Sequence, residues 1–304
     1  PGSSEVFGYG FTKTTSLMRA IKFVVETARE MRRPVAINIS LGTNDGGHDG
    51  NSLFETYIDE WARRWNASIV VSAGNEGAAA RHAAGVLSSH EEAAVEFQVG
   101  GNRRSVFLQL WKSYTDDLRI GLTAPDGERT GIIVPSPAAY QTVLQGTTIS
   151  VYYSLPNPYT IASTILIELF SPSQVAEGLW SIQIETGNVV GGQYDVWMTA
   201  TQDLRGNTFF LRPEEDVTIT LPSTTVRTIS VAAYNTETNS IASFSGRGFT
   251  RLSREIKPDI SAPGVNITAP WPGGGYRAQS GTSMAAPFVT GSAALLMEWG
   301  IIRG

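Results

Sequence analysis

The chain has 304 residues, 41% hydrophobic and 17% charged, which is ordinary for a soluble globular protein and allows one large domain or two smaller ones. Its net charge of −5, with Lys and Arg scattered along the sequence, provides no basic surface for nucleic acid. The absence of cysteine excludes disulfides, thiolate catalysis and cysteine-ligated metals, and no apolar run approaches the roughly 20 residues that span a bilayer.

The first third of the chain alternates between helix and strand. Apolar residues at helical spacing predict a helix over 15–33, which ends at Pro34. Residues 35–40 and 68–72 are rich in β-branched residues and predict two strands, with a second helix over 53–65 between them. A strand–helix–strand unit with short links predicts that the two strands are parallel.

Two segments follow these strands at their carboxyl ends, where parallel sheets collect ligands. The first is Ser40-Leu41-Gly42, and the second is 73–77 (Ala-Gly-Asn-Glu-Gly). The amide of Asn75 can donate to a developing oxyanion, and the glycines leave space for a substrate. The alternative is an Asn-containing turn that simply closes the strand.

From about Glu92 to Ala200 the hydrophobic period is two, and turn residues such as those at 125–127 separate the runs. Such a pattern predicts an all-β sandwich or jelly-roll over 88–215. The residues that alternate are Val95, Phe97, Val99, Val106, Leu108, Leu110, Leu118, Ile120, Leu122, Ile149, Val151, Tyr153, Ile165, Ile167, Leu169, Trp180, Ile182, Ile184, Tyr194, Val196 and Met198.

Helix and strand patterns return after residue 216. Residues 228–233 predict a strand, and 257–262 lead into a Pro-Gly turn. Residues 280–297, which begin with small residues and turn apolar, predict a buried helix. The fold class is therefore α/β with a parallel sheet, formed by 1–87 and 216–304 and interrupted by the β-rich insertion.

Residues 281–287 (Gly-Thr-Ser-Met-Ala-Ala-Pro) open the last predicted helix with a serine. A hydroxyl at that position lies among free backbone N–H groups, and the helix dipole stabilises a nearby oxyanion. Gly281 lets a substrate approach the backbone closely, and Pro287 falls early in the helix, where its missing N–H costs little. The alternative is that Ser283 only caps the helix.

Together these segments resemble the subtilisin-like serine proteases. Residues 72–77 (Ser-Ala-Gly-Asn-Glu-Gly) and 280–287 (Ser-Gly-Thr-Ser-Met-Ala-Ala-Pro) match two motifs of that family. Residues 39–42, 242–245 and 262–264 match further family segments in the right order. The large insertion after the Asn motif resembles the clostridial germination-type subtilases, which carry a jelly-roll at that point.

The resemblance implies a serine endopeptidase that acts through an acyl-enzyme, without cofactor or metal, on a polypeptide substrate. Ser283 would be the nucleophile, and Asn75 with the Ser283 backbone N–H would form the oxyanion hole. The implied substrate-binding residues are Ser40, Leu41, Gly42, Ser72, Ala73, Gly74, Glu76 and Thr282. The first three would pair with the substrate backbone as an added strand, and Glu76 would lie at the rim of the pocket, where it would allow basic side chains.

The family's aspartate and histidine motifs have no match here, and the helix at 15–33 belongs after both of them. We therefore expect that the chain is a fragment, that an N-terminal lobe precedes it, and that residues 1–304 alone show negligible turnover. The surface exposed by such truncation predicts self-association. The family also extends beyond the serine helix. Secreted and spore-associated locations both fit the resemblance.

The three histidines offer no clear substitute base. His48 lies in a polar loop, His82 and His90 flank the start of the insertion, and all three are expected at the surface. Asp49 is expected in a turn or as a helix cap, and Asp259 in a local backbone hydrogen bond.

Three other interpretations remain open. The carboxyl-type serine proteases share the Ser-Gly-Thr-Ser start, but they place an aspartate where Asn75 stands. A non-catalytic pseudoprotease would keep this fold as a binding scaffold. The insertion could also be a recognition module with an exposed aromatic platform, although period-two placement favours a core position for its aromatics, which are Trp111, Tyr140, Tyr152, Tyr153 and Trp180.

Overall fold

The computed structural model describes residues 14–64, 66–155, 160–200 and 207–304. Within these ranges the helices are α1 Thr14–Glu30, α2 Leu53–Ala62 and α3 Thr282–Met297, and a π-helical turn at Glu298–Ile302 continues α3. The strands are β1 Val35–Ile39, β2 Ala67–Ser72, β3 His82–Val86, β4 Glu92–Val99, β5 Ser105–Ser113, β6 Leu118–Thr123, β7 Tyr140–Leu144, β8 Thr147–Tyr153, β9 Ala162–Phe170, β10 Gly178–Thr186, β11 Gln193–Met198, β12 Phe209–Phe210, β13 Ile229–Asn235, β14 Ser240–Ile241, β15 Ile260–Pro263, β16 Ile267–Pro270 and β17 Tyr276–Gln279.

The chain divides into two compact units. Among the residues that the structure describes, the α/β unit takes in those of 1–43, 48–78 and 216–304, and the β unit those of 44–47 and 79–215. The β unit therefore begins earlier than the predicted boundary at residue 88. The reason is that β3 pairs with β11 in antiparallel register, and its sequence, His-Ala-Ala-Gly-Val, lacks the alternation that marks the other strands.

The α/β unit is built on a five-stranded sheet in the order β1-β2-β13-β14, with β15 also paired to β13. The predicted parallel pairing of β1 and β2 is confirmed, with Val35 opposite Ala67 and Ile39 opposite Val71. Strands β13 and β15 continue the parallel set, and β14 is antiparallel. The carboxyl ends of four strands consequently meet at one edge.

Successive residues of β2 bury against different layers of this unit. Ile69 and Val71 pack with Ile21 of α1 and Ile58 of α2, whereas Val70 belongs to a second cluster with Ala285 and Ala286 of α3. Because strand side chains alternate between the two faces, α1 and α2 lie on one side of the sheet and α3 lies on the other.

The first turns of α3 are the buried part of this helix. Its buried residues are Thr282, Ala285 and Ala286, whereas Leu295 is 67% and Leu296 is 65% exposed. The prediction of a helix buried along its whole length is therefore wrong for its second half. By length and composition the stretch Thr282–Ile302 could also span a bilayer, contrary to the expectation from sequence, but these two properties alone are weak evidence for a membrane.

The β unit contains two antiparallel sheets in the described part of the chain. One has the order β12-β4-β10-β6 and the other β3-β11-β5-β9-β8-β7. Every alternating residue predicted from the sequence lies in or against one hydrophobic cluster of this unit. The period-two pattern therefore predicted the core correctly, since the inward-facing residues of both sheets fill it.

The aromatics of the β unit divide between core and surface. Trp180 is fully buried, Tyr140 and Tyr153 pack against the core, and the Tyr153 hydroxyl donates to the Ile133 carbonyl over 2.9 Å. Burial raises the pKa of Tyr153 to about 12. Tyr152, in contrast, is 40% exposed because it points away from the core.

Candidate active site

The sheet edge of the α/β unit brings together segments that are distant in sequence. Ser40 follows β1, Gly74 and Asn75 follow β2, and Gly264 follows β15. The Gly281 N–H donates to the Gly264 carbonyl over 2.8 Å, which places the start of α3 at this edge. The parallel sheet is thus the reason that these segments meet.

Asn75 is held at this edge by Thr282, a residue 207 positions away in the sequence. The Asn75 Oδ1 accepts from the Thr282 backbone N–H over 2.9 Å and from the Thr282 hydroxyl over 3.0 Å. The same hydroxyl accepts from the Gly74 N–H over 3.1 Å. Because both bonds use the oxygen of the amide, the Nδ2 group of Asn75 is left to donate elsewhere, and Asn75 is exposed.

Ser283 is the second residue of α3, directly after the residue that holds Asn75. The capping position is Gly281, and no side chain caps the helix, so the interpretation of Ser283 as a simple N-cap is wrong. The Ser283 hydroxyl is half-buried and donates to the Ser40 carbonyl over 3.4 Å, while the Ser40 hydroxyl donates to the Ser283 carbonyl over 3.1 Å. The amide of a second helical residue has no intrahelical acceptor, so the Ser283 N–H is a donor at the site.

Two residues that were not predicted from the sequence support the position of Ser40. The Asn38 side chain donates to the Ser40 hydroxyl over 2.9 Å, and Thr290 of α3 donates to the Asn38 Oδ1 over 3.2 Å. A polar side chain in the middle of an apolar strand was the available hint. These bonds link the end of β1 to α3.

The substrate-binding segments predicted from the sequence lie on both sides of the site. Leu41 is 52% exposed, as a segment that pairs with a peptide must be. Ser72, Ala73 and Gly74 are buried, so of the second segment Asn75 is the part that reaches the surface. Glu76 is only 4% exposed, which does not fit its predicted place at an open pocket rim.

Comparisons with known proteins identify similar sequences and a similar fold. Residues 187–300 match the Subtilase family, Peptidase S8. The structure of the CspB protease of Clostridium perfringens superposes with a TM-score of 0.88 and 36% sequence identity, covering 97% of this chain and 62% of that one. This chain is similar to the subtilisin-like serine proteases. Subtilisin E of Bacillus subtilis is 44% identical over 81 residues, and the Subtilisin-like protease SBT1.6 of Arabidopsis thaliana is 54% identical over 70 residues.

The subtilase match covers only part of each relative. The chain spans 62% of the length of the CspB structure, 19% of subtilisin E and 9% of the Arabidopsis protease. What the whole protein cleaves and binds is therefore addressed below as a proposal.

The histidines do not lie where the sequence predicts them, except for His90, which is exposed. His48 is fully buried, and its Nδ1 lies 2.8 Å from the Ile219 carbonyl in the α/β unit. His82 is 2% exposed, stacks on Trp197 at 4.5 Å between ring centroids, and pairs with Asp195 over 3.1 Å in the β unit. The local sequence does not predict such burial, because contacts with residues that are distant in sequence cause it.

The carboxylates near His48 have structural roles. Asp49 accepts from the Asn51 N–H over 3.1 Å, which confirms the predicted turn. Glu55 completes a capping box with Ser52 at the start of α2 and also accepts from the Thr224 hydroxyl. Burial raises the pKa of the Glu55 carboxyl, against the hydrogen bonds, which lower it.

Proposed function

We propose that the protein is a serine endopeptidase in which Ser283 attacks the scissile carbonyl and the Asn75 amide stabilises the resulting oxyanion. The observation that carries this proposal is the pair of hydrogen bonds from Thr282 to the Asn75 Oδ1, which holds the amide by its oxygen at the residue before Ser283 and leaves Nδ2 to donate. A preorganised donor of this kind stabilises the charge that develops in the transition state without reorganisation.

The reaction follows from the positions of these groups. A polypeptide lies along Ser40–Gly42 as an added strand, with its scissile carbonyl over the start of α3. Ser283 Oγ adds to the carbonyl carbon, its proton passes to a base, and the oxyanion accepts hydrogen bonds from the Asn75 Nδ2 and the Ser283 N–H. Collapse of this adduct forms the acyl-enzyme as the protonated base gives its proton to the leaving amine. Water then loses a proton to the same base and adds to the acyl carbon, and collapse releases the acid and the reprotonated Ser283.

The test is reaction of the full-length protein with a fluorophosphonate probe, followed by mass spectrometry of the labelled peptide and by hydrolysis of unfolded casein. We expect the label on Ser283, and we expect no label and no hydrolysis for Ser283→Ala. Asn75→Ala should keep the label but lower kcat by about 10²–10³, a range established by removing such a donor in subtilisin itself. A wild-type protein that neither reacts nor hydrolyses would refute the proposal.

A non-catalytic scaffold is the second candidate, because the hydrogen bond of the Ser283 hydroxyl goes to the Ser40 carbonyl, which cannot act as a base. The same experiment separates the two functions. A scaffold would bind peptides without reacting with the probe, since a serine without a base is a poor nucleophile.

The β unit extends the proposal to the subgroup. Its two antiparallel sheets around one core are consistent with a jelly-roll inserted into the protease domain, and the similarity to a clostridial protease over 97% of this chain supports the germination-type subgroup.

A further inference from the structure

The Ser283 carbonyl lies in the first turn of α3, where the regular hydrogen bond of the helix cannot form. In an α-helix each carbonyl accepts from the N–H four residues later, and the residue four positions after Ser283 is Pro287, which has no N–H. The Ser40 hydroxyl donates to this carbonyl over 3.1 Å from the end of β1. Ser40 therefore supplies the donor that Pro287 lacks.

The Asn38 side chain keeps the Ser40 hydroxyl available for this bond. A hydroxyl has one hydrogen, and the Ser283 carbonyl can only accept, so the Ser40 hydrogen points to Ser283. Toward Asn38 the Ser40 Oγ must then accept, and it does so from the Asn38 Nδ2 over 2.9 Å. An acceptor in place of that Nδ2 would compete with the Ser283 carbonyl for the single hydrogen.

Thr290, two turns after Ser283 in α3, anchors the Asn38 amide. Its hydroxyl lies 3.2 Å from the Asn38 Oδ1 and 3.0 Å from the Ala286 carbonyl, and donates toward both. Because Thr290 holds the oxygen of the amide, the nitrogen is directed to Ser40. The hydrogen bonds thus run in one direction, from Thr290 through Asn38 and Ser40 to Ser283, and each group donates to the next.

We infer that Asn38, anchored by Thr290, is a positioning residue that keeps the Ser40 hydroxyl on the Ser283 carbonyl. Ser283 carries both the attacking hydroxyl and, in its backbone N–H, an oxyanion donor, so a shift of its backbone moves both groups relative to the substrate. Asn38 and Thr290 act through Ser40, and we therefore expect them to affect kcat and not KM. The inference rests on the proposed function for its effect on catalysis, whereas the hydrogen bonds themselves do not depend on turnover.

The test introduces a competing acceptor with Asn38→Asp in the full-length protein. The new carboxylate can only accept, so it draws the Ser40 hydrogen away from Ser283, and kcat on one peptide should fall roughly five- to tenfold, the effect of one hydrogen bond, with KM unchanged. Asn38→Leu has a similar size but offers no acceptor, so it should lower kcat by about twofold or less. Thr290→Val should lower kcat about two- to threefold, and Thr290→Ser should restore it. In the Asn38→Leu background, Thr290→Val should have no further effect.

A second measurement reports the hydrogen bond to Ser283 without catalysis. In Ser283→Ala, ¹³C in the alanine carbonyls and ¹⁵N in methionine select the carbonyl of residue 283, which is bonded to the nitrogen of Met284. Its ¹³C resonance should shift when Asn38→Asp is added and stay in place when Asn38→Leu is added, because only the carboxylate takes the donor away. If the wild type shows no turnover but the resonance shifts in this way, the proposed catalysis fails and this inference stands.

Three controls separate this role from a general loss of structure or a change of charge. Ser292→Ala removes a hydroxyl of α3 that donates to the Phe288 carbonyl within the helix, so it should leave kcat unchanged. The fall in Asn38→Asp should persist in roughly 1 M salt, where a Debye length of about 3 Å screens a distant charge. Ser40→Ala removes the same donor without adding a charge and should lower kcat equally, which keeps the inference testable if Asn38→Asp does not fold. Equal losses of kcat in Asn38→Asp and Asn38→Leu, a fall that vanishes in salt, or an unmoved resonance would overturn it.

Discussion

The strongest mechanistic prediction concerns Thr282, because one hydroxyl connects the oxyanion donor to the sheet. In Thr282→Val the shape is retained, but the hydroxyl that donates to Asn75 and accepts from Gly74 is lost. Asn75 then keeps a single hydrogen bond, from the Thr282 N–H. The Gly74 N–H loses the acceptor that Thr282 provides in a buried position.

The magnitude follows from these two losses. A buried donor that loses its acceptor costs about 1–3 kcal/mol of unfolding free energy. Because Asn75 is held by one hydrogen bond fewer, its amide should stabilise the transition state by about 1 kcal/mol less, which corresponds to a fall in kcat of roughly five- to tenfold. This fall should be smaller than that of Asn75→Ala, because the amide is loosened and not removed.

The assay compares kcat and KM on one peptide, at a temperature where urea unfolding shows every variant to be folded. Thr282→Ser should restore kcat, since it restores the hydroxyl. Ser292→Ala is the matched control, because it removes a hydroxyl of the same helix that donates to the Phe288 carbonyl within that helix. A kcat for Thr282→Val equal to that of the wild type, with the expected loss of stability, would refute a positioning role for Thr282.

Three further outcomes are expected. Glu55→Gln should remove a pH-dependent contribution to stability. Because burial raises the folded-state pKa of Glu55 above 4.5, that contribution is present below this value and is lost as the pH rises through the raised pKa. Urea unfolding from about pH 4 to about pH 8 should therefore show the unfolding free energy of the variant rising relative to that of the wild type. An equal gap at all pH values would contradict this reading. Trp180→Ala should destabilise the β unit by about 3–5 kcal/mol, because it empties a fully buried site and removes the hydrogen bond to the Ala176 carbonyl. A loss of unfolding free energy below about 1 kcal/mol in urea would contradict this prediction. The exposed apolar residues of α3 should cause concentration-dependent sedimentation that Leu295→Glu with Leu296→Lys abolishes, and identical sedimentation of variant and wild type would exclude this surface.

The sequence predicted best what depends on short-range pattern. The alternation in 92–200 identified the core of the β unit, because a strand buried on one face must repeat with period two. The strands β1 and β2 and their parallel pairing also followed from local pattern. Strand β3 was missed because Ala and Gly leave no alternation to detect.

Burial set by tertiary contacts could not be predicted in this way. His48 and His82 were expected at the surface and are buried, because a hydrogen-bond acceptor and an aromatic ring from distant positions complete their surroundings. The second half of α3 is as apolar as a buried helix but is exposed, since the described sheet contacts its first turns. Composition reports how well a residue tolerates burial and does not report whether a partner is present.

The site itself shows which part of function a motif can carry. Asn75 and Ser283 were recognised because each lies in a short segment whose glycines leave space for a substrate. Thr220 was not, although both Gly42 and Gly74 face it. Two glycines that look like clearance for a substrate are in the structure also clearance for a protein side chain. Space that a sequence reserves next to a glycine can therefore be filled by a side chain from a third segment.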